Sequence, residues 1–377
     1  MITQSNYPKQ KSNKLIYPVV FFLMCLLSLN CFNGCTNDSI SLIEQEANDD
    51  KTLLDSQLKY LKTRATNATN TILISTAKSI NFKVENNTPV IVDWGDGNND
   101  IDVFSHTYTD ELPVHTIMFY GRQDAIQKLN CYKQEIIFLD ITKNTALTNL
   151  ECTYNRITKL NLSNNLKLDS LSCNFNSISE LDVTQNTNLI YFKCDNNYLQ
   201  TIDISPNISL KYFDCCYNQI DSIDVSNNKN LEFLYCSSNN LKTLDVLNNR
   251  KLIILQFLDN KISTINLTQH LILNELWCDN NWLTEISLPL SSSLQLLSCP
   301  NNNLNALKLP LQCSNLTLVY CQNNPFESDD NELKKIFKSL PTANIYDFAT
   351  ITISKNIDLT VVKQIADSKN WYISTSN

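Results

Sequence analysis

The sequence is poor in the residues from which most enzyme sites are built. Its 377 residues include four glycines and three histidines. There is no glycine-rich phosphate loop, no nucleophile paired with histidine and no cluster with metal-ligand spacing, so the pattern predicts no enzyme, no cofactor and no metal site. The formal net charge is −8, and no basic stripe could neutralise phosphates, which argues against nucleic acid as a partner. A hydrolase whose carboxylates only the fold brings together remains the alternative.

The N-terminal apolar run is too short to span a membrane as a helix. It covers Leu15–Leu29, which is 15 residues, whereas a spanning helix needs about 20. Lysines but no acidic residues precede it. These flanks predict a secretory signal peptide over residues 1–34.

The end of this run resembles the lipobox of bacterial lipoproteins. Gly34 directly precedes Cys35, although Phe32 stands where leucine is usual. The resemblance implies acylation of Cys35 and an outer-membrane lipoprotein of the cell envelope, exposed at the surface. Cys31 is the alternative lipidation site, and simple secretion after cleavage near Gly34 is another reading. The polar residues 35–70 are predicted to form a tether.

A short phrase, Leu-x-Cys-x-x-Asn, recurs between Leu129 and Phe326. The step is 21 residues, and 22 at the last copy, with Phe257 in the one place without cysteine. The cysteines are Cys131, Cys152, Cys173, Cys194, Cys215, Cys236, Cys278, Cys299 and Cys321. The asparagines, with Gln134 in the first copy, are Asn155, Asn176, Asn197, Asn218, Asn239, Asn260, Asn281, Asn302 and Asn324. A fixed period in the twenties is typical of a stacked solenoid.

The phrase resembles the leucine-rich repeat, which implies a mainly β protein that binds other molecules. We expect a solenoid of about ten coils with parallel strands over residues 126–326. Apolar Leu150 and Cys152 alternate with polar residues, as in a strand with one buried face. A second, weaker copy of the Leu-x-Leu pattern within each repeat, such as Leu181-Asp182-Val183, predicts a second extended segment on the other side of the coil.

Two rows of polar residues are expected at the bends of the coil. An unpaired buried amide costs about 1–3 kcal/mol, so the asparagines of the phrase should bond the backbone groups that the bend leaves unpaired. We interpret His270 as a substitute in the second row rather than as a catalytic residue. The second row is Asn144, Asn165, Asn186, Asn207, Asn228, Asn249, His270, Ser291 and Gln312.

Fourteen cysteines in an exported chain would ordinarily suggest disulfides. Each cysteine of the phrase stands where other leucine-rich repeats have leucine, so we expect buried free thiols. Sulfurs in a straight row cannot surround a metal tetrahedrally. Disulfides remain the alternative, and the pattern does not place Cys216 and Cys313.

Residues 71–125 show short alternating runs instead of the repeat. The hairpin Trp94-Gly95-Asp96-Gly97, followed by His106 and Tyr108, resembles the PKD-like modules. That resemblance implies a small β-sandwich-like module, and its glycines supply positive φ in a tight turn. We expect it to cover the first coil, because a solenoid needs a cap. The alternative is a calcium site at Asp93, Asp96 and Asp100.

Residues 327–377 are predicted to close the other end as an α/β cap. The spacing of apolar residues predicts a helix over Asp329–Leu340, with Asp329 as its N-cap. The ending from Ala366 to Trp371 is similar to the tail of leucine-rich-repeat surface proteins of Bacteroidota. Further elements are expected at Thr350–Ser354, Thr360–Ser368 and Trp371–Thr375.

Aromatic residues occupy outward positions of the predicted strands. Residues 21 apart should lie side by side about 5 Å apart, and clustered rings suit the centre of a protein interface. We predict a monomer whose ligand contacts are Tyr191, Tyr212, Phe233, Tyr235, Trp277 and Tyr320. The alternatives are a glycan, bound by an accessory lipoprotein of a surface uptake system, and aromatics that merely fit strands. The other side carries an acidic row that should face solvent, namely Asp182, Asp203, Asp224 and Asp245.

Overall fold

The computed structural model describes residues 69–290, 292–310, 312–355 and 357–376. The predicted signal peptide, Cys35 and the tether up to residue 68 lie outside the described residues. Within the described ranges, no helix is long and apolar enough to cross a membrane.

The described chain is built mainly from short strands. These are β1 (Thr69–Ser75), β2 (Ser79–Asn81), β3 (Lys83–Asn86), β4 (Ile91–Asp93), β5 (Asn99–Ile101), β6 (Ser105–Thr107), β7 (His115–Tyr120), β8 (Ile126–Asn130), β9 (Ile136–Asp140), β10 (Asn149–Glu151), β11 (Ser170–Ser172), β12 (Tyr191–Lys193), β13 (Tyr212–Asp214), β14 (Phe233–Tyr235), β15 (Ile254–Gln256), β16 (Thr264–Asn266), β17 (Glu275–Trp277), β18 (Glu285–Ser287), β19 (Leu296–Ser298), β20 (Leu318–Tyr320), β21 (Thr350–Ser354) and β22 (Tyr372–Ser376). The helices are α1 (Asp330–Ser339) and α2 (Lys363–Ser368), and 3₁₀ turns span Pro325–Ser328 and Leu359–Val361.

One 13-stranded sheet runs along the repeats, in the order β3-β8-β10-β11-β12-β13-β14-β15-β17-β19-β20-β21-β22. β3 is antiparallel to β8, and the following strands are parallel to their neighbours. The register follows the repeat, since Tyr212 pairs with both Tyr191 and Phe233. The predicted leucine-rich-repeat solenoid is confirmed. It has about 12 coils, because β21 and β22 of the predicted cap continue the sheet.

Each repeat coil buries the middle residue of its strand and the residue two places later, which is a cysteine in every copy but the one with Phe257. In β12, Phe192 and the following Cys194 are fully buried, whereas Tyr191 and Lys193 are half-buried on the opposite side. We call that solvent-facing side of the 13-stranded sheet the front face. Asn196 then adopts a φ of 55°, the left-handed conformation, which turns the chain out of the strand.

The other side of the coils consists mainly of turns, with β16 and β18 as a two-stranded parallel pair. The acidic row lies in these turns and is exposed. Asp182 accepts hydrogen bonds from the backbone N–H and hydroxyl of Thr184. Asp203, Asp224 and Asp245 each accept from the backbone N–H two residues later. The carboxylates therefore hold the turns while they remain solvated.

The N-terminal module continues both sides of the first coil. A five-stranded sheet has the order β5-β4-β7-β1-β9, so β1 pairs with β9 of the first coil. On the front-face sheet, β3 pairs with β8. Backbone pairing therefore crosses the predicted boundary at residue 125, and the buried core is continuous across it. The pairing covers strand edges that would otherwise be open to other chains.

The hairpin after β4 is fixed by a buried tryptophan. Trp94 donates its indole N–H to Asp100 at 2.7 Å, and the Tyr108 hydroxyl donates to the Trp94 carbonyl at 2.9 Å. Gly95 has a φ of 80°, and a Cβ there would lie 2.4 Å from the carbonyl oxygen of Thr116. Only glycine fits this position without strain. The likeness to PKD-like modules stays a prediction.

The C-terminal cap is tied to the last repeat through Glu327, which is buried. Its carboxylate accepts from the backbone N–H of Asn323 and of Ser354, each at 2.8 Å. α1 begins after Asp329, whose side chain accepts from two first-turn backbone N–H groups, so the predicted N-cap is confirmed. The helix buries Leu333, Ile336 and Phe337.

Candidate functional site

Four aromatic side chains pack together on the front face, on β12, β13 and β14. The Tyr191 and Tyr212 rings stack with centroids 4.5 Å apart. Tyr212 also lies 6.0 Å from Phe233 and 5.3 Å from Tyr235. We call these four residues the aromatic patch. Each is half-buried rather than fully in solvent, because each ring covers part of the next.

Trp277 and Tyr320 lie on the same face but further along the sheet. Tyr235 pairs with Gln256, which pairs with Trp277, so a whole strand separates Trp277 from the aromatic patch. The Trp277 indole N–H donates to Glu275 at 2.9 Å. The structure thus places the six predicted contact residues on one face in two neighbouring rows, with Tyr191, Tyr212 and Phe233 in one and Tyr235, Trp277 and Tyr320 in the other. Of the six, the four of the aromatic patch form a cluster.

One lysine and two aspartates border the aromatic patch. Lys193 Nζ lies 3.7 Å from the Asp214 carboxylate and 6.0 Å from the centre of the Tyr212 ring. Asp195 is 7% exposed, and its Oδ1 has no hydrogen-bond partner among the described residues. Burial, reinforced by the charge of Asp214, raises the pKa of Asp195. Asp195 and Asp214 are thus two neighbouring carboxylates, and both are buried.

Another set of exposed aromatic residues, which sequence reasoning missed, lies where the strands end. Tyr154, Phe175 and Tyr217 have φ values of 56°, 52° and 52°, a conformation uncommon for bulky residues. Most coils have asparagine, aspartate or serine at this position. Tyr154 and Phe175 stack at 4.1 Å, and Tyr132 lies 5.6 Å from Tyr154. An aromatic residue two places after the cysteine was the signal that could have revealed them.

The asparagines of the phrase bond the backbone of their own and the preceding coil. Asn176 donates through Nδ2 to the carbonyls of Cys152 and Cys173, and its Oδ1 accepts from the backbone N–H of Ile157 at 3.0 Å. The same pattern recurs at Asn155, Asn197, Asn218, Asn239, Asn260, Asn281, Asn302 and Asn324. This ladder holds the coils in register.

The second row is also hydrogen-bonded between coils. Asn165 donates to the carbonyls of Ile141 and Asn144. His270 Nε2 lies 3.1 Å from the Val246 carbonyl, which can only accept, so Nε2 carries the proton. Burial lowers the pKa of His270, which favours this neutral, structural form. The asparagines that repeat the pattern are Asn186, Asn207, Asn228 and Asn249.

The predicted second row of polar residues includes Gln312, but in the structure the row does not continue to this residue. Gln312 is exposed, and the buried Cys313 takes the place instead. The backbone N–H of Leu316 donates to the Cys313 carbonyl, as that of Leu252 donates to Asn249. The prediction is wrong because the last step of the repeat has 22 residues, which shifts the row by one. Ser291 lies outside the described residues.

The cysteines in the described part of the chain are all free and buried. Burial raises the pKa of each thiol in the row, for example those of Cys194 and Cys215. Cys216 is buried as well, and its sulfur accepts from the backbone N–H of Ser237 at 3.3 Å. The neutral thiols therefore act as small apolar side chains of the core.

The carboxylates considered for calcium turn to separate partners. These pairs are Asp93 with the Gly95 N–H, Asp96 with His106 and Asp100 with Trp94. Across the described residues, no group of three or more His, Cys, Asp or Glu is placed to hold a metal ion.

Comparison with known proteins finds structural likeness only. No known family profile and no curated protein matches the sequence. The functional domain of InlJ from Listeria monocytogenes, described as including a cysteine ladder, is 23% identical, with 68% of this chain and 74% of that chain covered and a TM-score of 0.29. The leucine-rich effector YopM from Yersinia pestis is 20% identical, with 53% and 60% covered and a TM-score of 0.41. A leucine-rich-repeat protein of Leptospira interrogans is 19% identical, with 62% and 74% covered and a TM-score of 0.38.

Proposed function

We propose that the aromatic patch is the centre of a protein-binding surface and that the protein serves in protein–protein interaction or adhesion without catalysis. The observation that carries this proposal is the cluster of half-buried rings around Tyr212, beside the ion pair of Lys193 and Asp214. Rings already held by stacking lose little freedom on binding. Aromatic residues at the centre of an interface supply much of its affinity.

The cell-surface position belongs to the same proposal. Gly34-Cys35 after an apolar run supports a lipid anchor at Cys35, and the polar residues 35–70 would hold the monomeric solenoid away from the outer membrane. The absence of chemistry is proposed because Asp195 and Asp214 are both buried, whereas catalytic carboxylates must reach a substrate.

A site-specific crosslinking experiment would identify and test the partner. A photoreactive phenylalanine analogue at Phe233 should capture a protein on intact cells that the same analogue at the exposed Asp224, on the turn side, does not capture. With that partner purified, Tyr212→Ala should weaken binding by at least about tenfold. Trp277→Ala should also weaken binding if the surface reaches β17. Asp224→Ala is the control and should not change binding.

Binding that survives both Tyr212→Ala and Trp277→Ala would show that the partner docks elsewhere. Capture of a glycan but no protein would support the glycan alternative for this face. Deleting residues 71–121 would not cleanly test whether the partner binds the N-terminal module, because β1 and β3 pair with the first coil and the deletion would disturb it. Point variants in the full chain avoid that damage.

A further inference from the structure

A cavity of about 330 Å³ opens at the end of the front face, where the N-terminal module meets the first coils. It is lined by Asn81, Lys83, Asn130, Tyr132, Gln134 and Glu151. We call it the junction cavity. The aromatic patch lies on β12 to β14, whereas this cavity is formed at β2, β3, β8 and β10, with the turn after β8. The two sites share no residue.

The junction cavity exists because the first coil departs from the repeat. Gln134 replaces the ladder asparagine, and its longer side chain reaches the module, where Oε1 accepts from the backbone N–H of Asn81 at 2.8 Å. Its Nε2 donates to the Tyr132 carbonyl at 2.9 Å. Asn155 of the next coil holds the backbone N–H groups of both Gln134 and Ile136. One wall of the cavity is therefore fixed from two sides.

The backbone at this wall is also strained. Lys133 and Glu135, on either side of Gln134, have φ values of 55° and 51°. The following repeat coils have one such left-handed residue each among the described residues. Neither lysine nor glutamate favours this conformation, and strain of this kind concentrates at ligand-binding sites.

The groups around the junction cavity suit a neutral, hydroxyl-rich ligand. The backbone of Lys83 pairs with β8, but its side chain makes no hydrogen bond or ion pair with any described residue. Glu151 accepts from the backbone N–H of Thr153 through Oε1, which leaves Oε2 available. One positive and one negative side chain give no net charge to attract an ion. Asn130 uses its Oδ1 for the Tyr132 backbone N–H, which leaves its Nδ2 as a donor.

Tyr132 supplies the apolar surface. Its side chain is 46% exposed, and its ring lies at 79° to that of Tyr154. A perpendicular neighbour covers at most one face of a ring, so the Tyr154 ring leaves at least one face of Tyr132 uncovered. A sugar ring has an apolar C–H face that packs on an aromatic ring and a rim of hydroxyls that pair with amides and charged groups.

We propose that the junction cavity binds one sugar unit of a neutral glycan, as a second site separate from the aromatic patch. Its volume is at the small end of ligand pockets, which fits one ring with the rest of the chain in solvent. A free amino acid is the competing small ligand, because Lys83 and Glu151 carry opposite charges. A sugar fits the cavity better because the remaining lining groups are amides and an aromatic ring.

Saturation-transfer NMR on the full-length protein tests this assignment. The probes are the methyl glycosides of glucose, galactose, mannose, fucose and N-acetylglucosamine, with glycine and alanine as the amino-acid arm. At least one glycoside should receive saturation, and the dissociation constant of that glycoside, measured by titration, should rise about tenfold or more in Tyr132→Ala. Tyr217→Ala is the matched control, because Tyr217 is an exposed tyrosine of another coil, and it should leave the constant unchanged.

Lys83→Ala is the second variant, because Lys83 is exposed on β3 and its loss spares the Gln134 contacts. It should also weaken sugar binding while the unfolding midpoint stays unchanged. Tyr212→Ala should not affect sugar binding, so this proposal and the proposed protein interface can fail separately. No saturation of any glycoside, binding of the amino acids alone, or sugar binding unchanged in both Tyr132→Ala and Lys83→Ala would overturn the proposal.

Discussion

At the scale of single residues, one asparagine in each repeat joins two neighbouring coils. Asn218 donates to the carbonyls of Cys194, Cys215 and Cys216 and accepts from the backbone N–H of Leu199. No other side chain of that length offers both a double donor and an acceptor.

Asn218→Ala should lower the free energy of unfolding by about 1–3 kcal/mol, because buried backbone groups lose their partner. Chemical denaturation measures the change. Asn227→Ala is the matched control, since Asn227 is exposed in a nearby turn, and it should change the free energy by no more than about 0.5 kcal/mol. Equal stability of Asn218→Ala and the wild type would refute the role of the ladder at this coil.

Asp195, beside the aromatic patch, is a buried carboxylate whose negative charge destabilises the folded protein. The equivalent residue one coil earlier is Asn174, which accepts a hydrogen bond from Thr153 at 2.7 Å. Burial and the nearby Asp214 raise the pKa of Asp195. A raised folded-state pKa means that this group favours folding below its unfolded-state pKa and that the contribution is lost as the pH rises through the folded-state pKa. At neutral pH its charge therefore opposes folding.

Asp195→Asn should accordingly stabilise the protein at pH 7, on the order of 1 kcal/mol, since it removes the buried charge. The gain should shrink as the pH falls through the folded-state pKa and vanish at pH values below about 3, where aspartate is protonated in both states. Unfolding midpoints measured across this pH range test the prediction. Asp224→Asn is the control of opposite sign, because hydrogen bonds from Ser226 lower the pKa of Asp224. A gain that persists at low pH would rule out the charge as its cause.

At the scale of elements, the hairpin between β4 and β5 depends on two glycines with different surroundings. A Cβ at Gly95 would meet the backbone of Thr116, whereas no atom lies within 4 Å of a Cβ built at Gly97. Both have positive φ, at 80° and 96°. The pair therefore separates the cost of backbone conformation from the cost of a clash.

Gly97→Ala should cost about 1–2 kcal/mol, because of its backbone conformation alone. Gly95→Ala should cost clearly more, since β7 would have to move and β7 lies between β4 and β1. Thermal unfolding of the two variants measures the difference. Equal midpoints would mean that the hairpin tolerates displacement from β7 and that the module is not packed as described.

At the scale of the whole molecule, both ends of the solenoid are covered. β1 and β3 cover the first coil, and Glu327 ties β21 to the last repeat. Coils stacked in this way contact mainly their neighbours, so uncovered ends would expose apolar surface and strand edges. The described coils therefore share one continuous core that is covered at both ends of the repeats.

The proposed anchor gives a prediction for the whole chain in the cell. Intact-mass analysis of the membrane fraction should show a chain that begins at an acylated Cys35. Cys35→Ser should release the protein from that fraction, because it removes the residue that carries the proposed acyl chains. Cys31→Ser should not release it. Acylation at Cys31 would refute the assignment, and an unmodified chain that begins near residue 35 would favour simple secretion.

The sequence by itself determined the repeating part of this protein. A period of 21 residues is sufficient to set the parallel register, since each coil repeats the last by a small shift along one axis. Alternation around residues such as Leu150 and Cys152 then decides which side chains face the core. The N-cap Asp329 was equally readable, because a helix start is a local pattern.

Only the tertiary structure decided the contacts between segments that do not repeat. The pairing of β3 with β8 and the reach of Gln134 to Asn81 join parts of the chain that no period relates. The same holds for the half-buried state of the aromatic patch, because the exposure of a ring depends on the rings packed against it. Periodicity fixes which residues become neighbours, whereas packing decides how much of each remains available to a ligand.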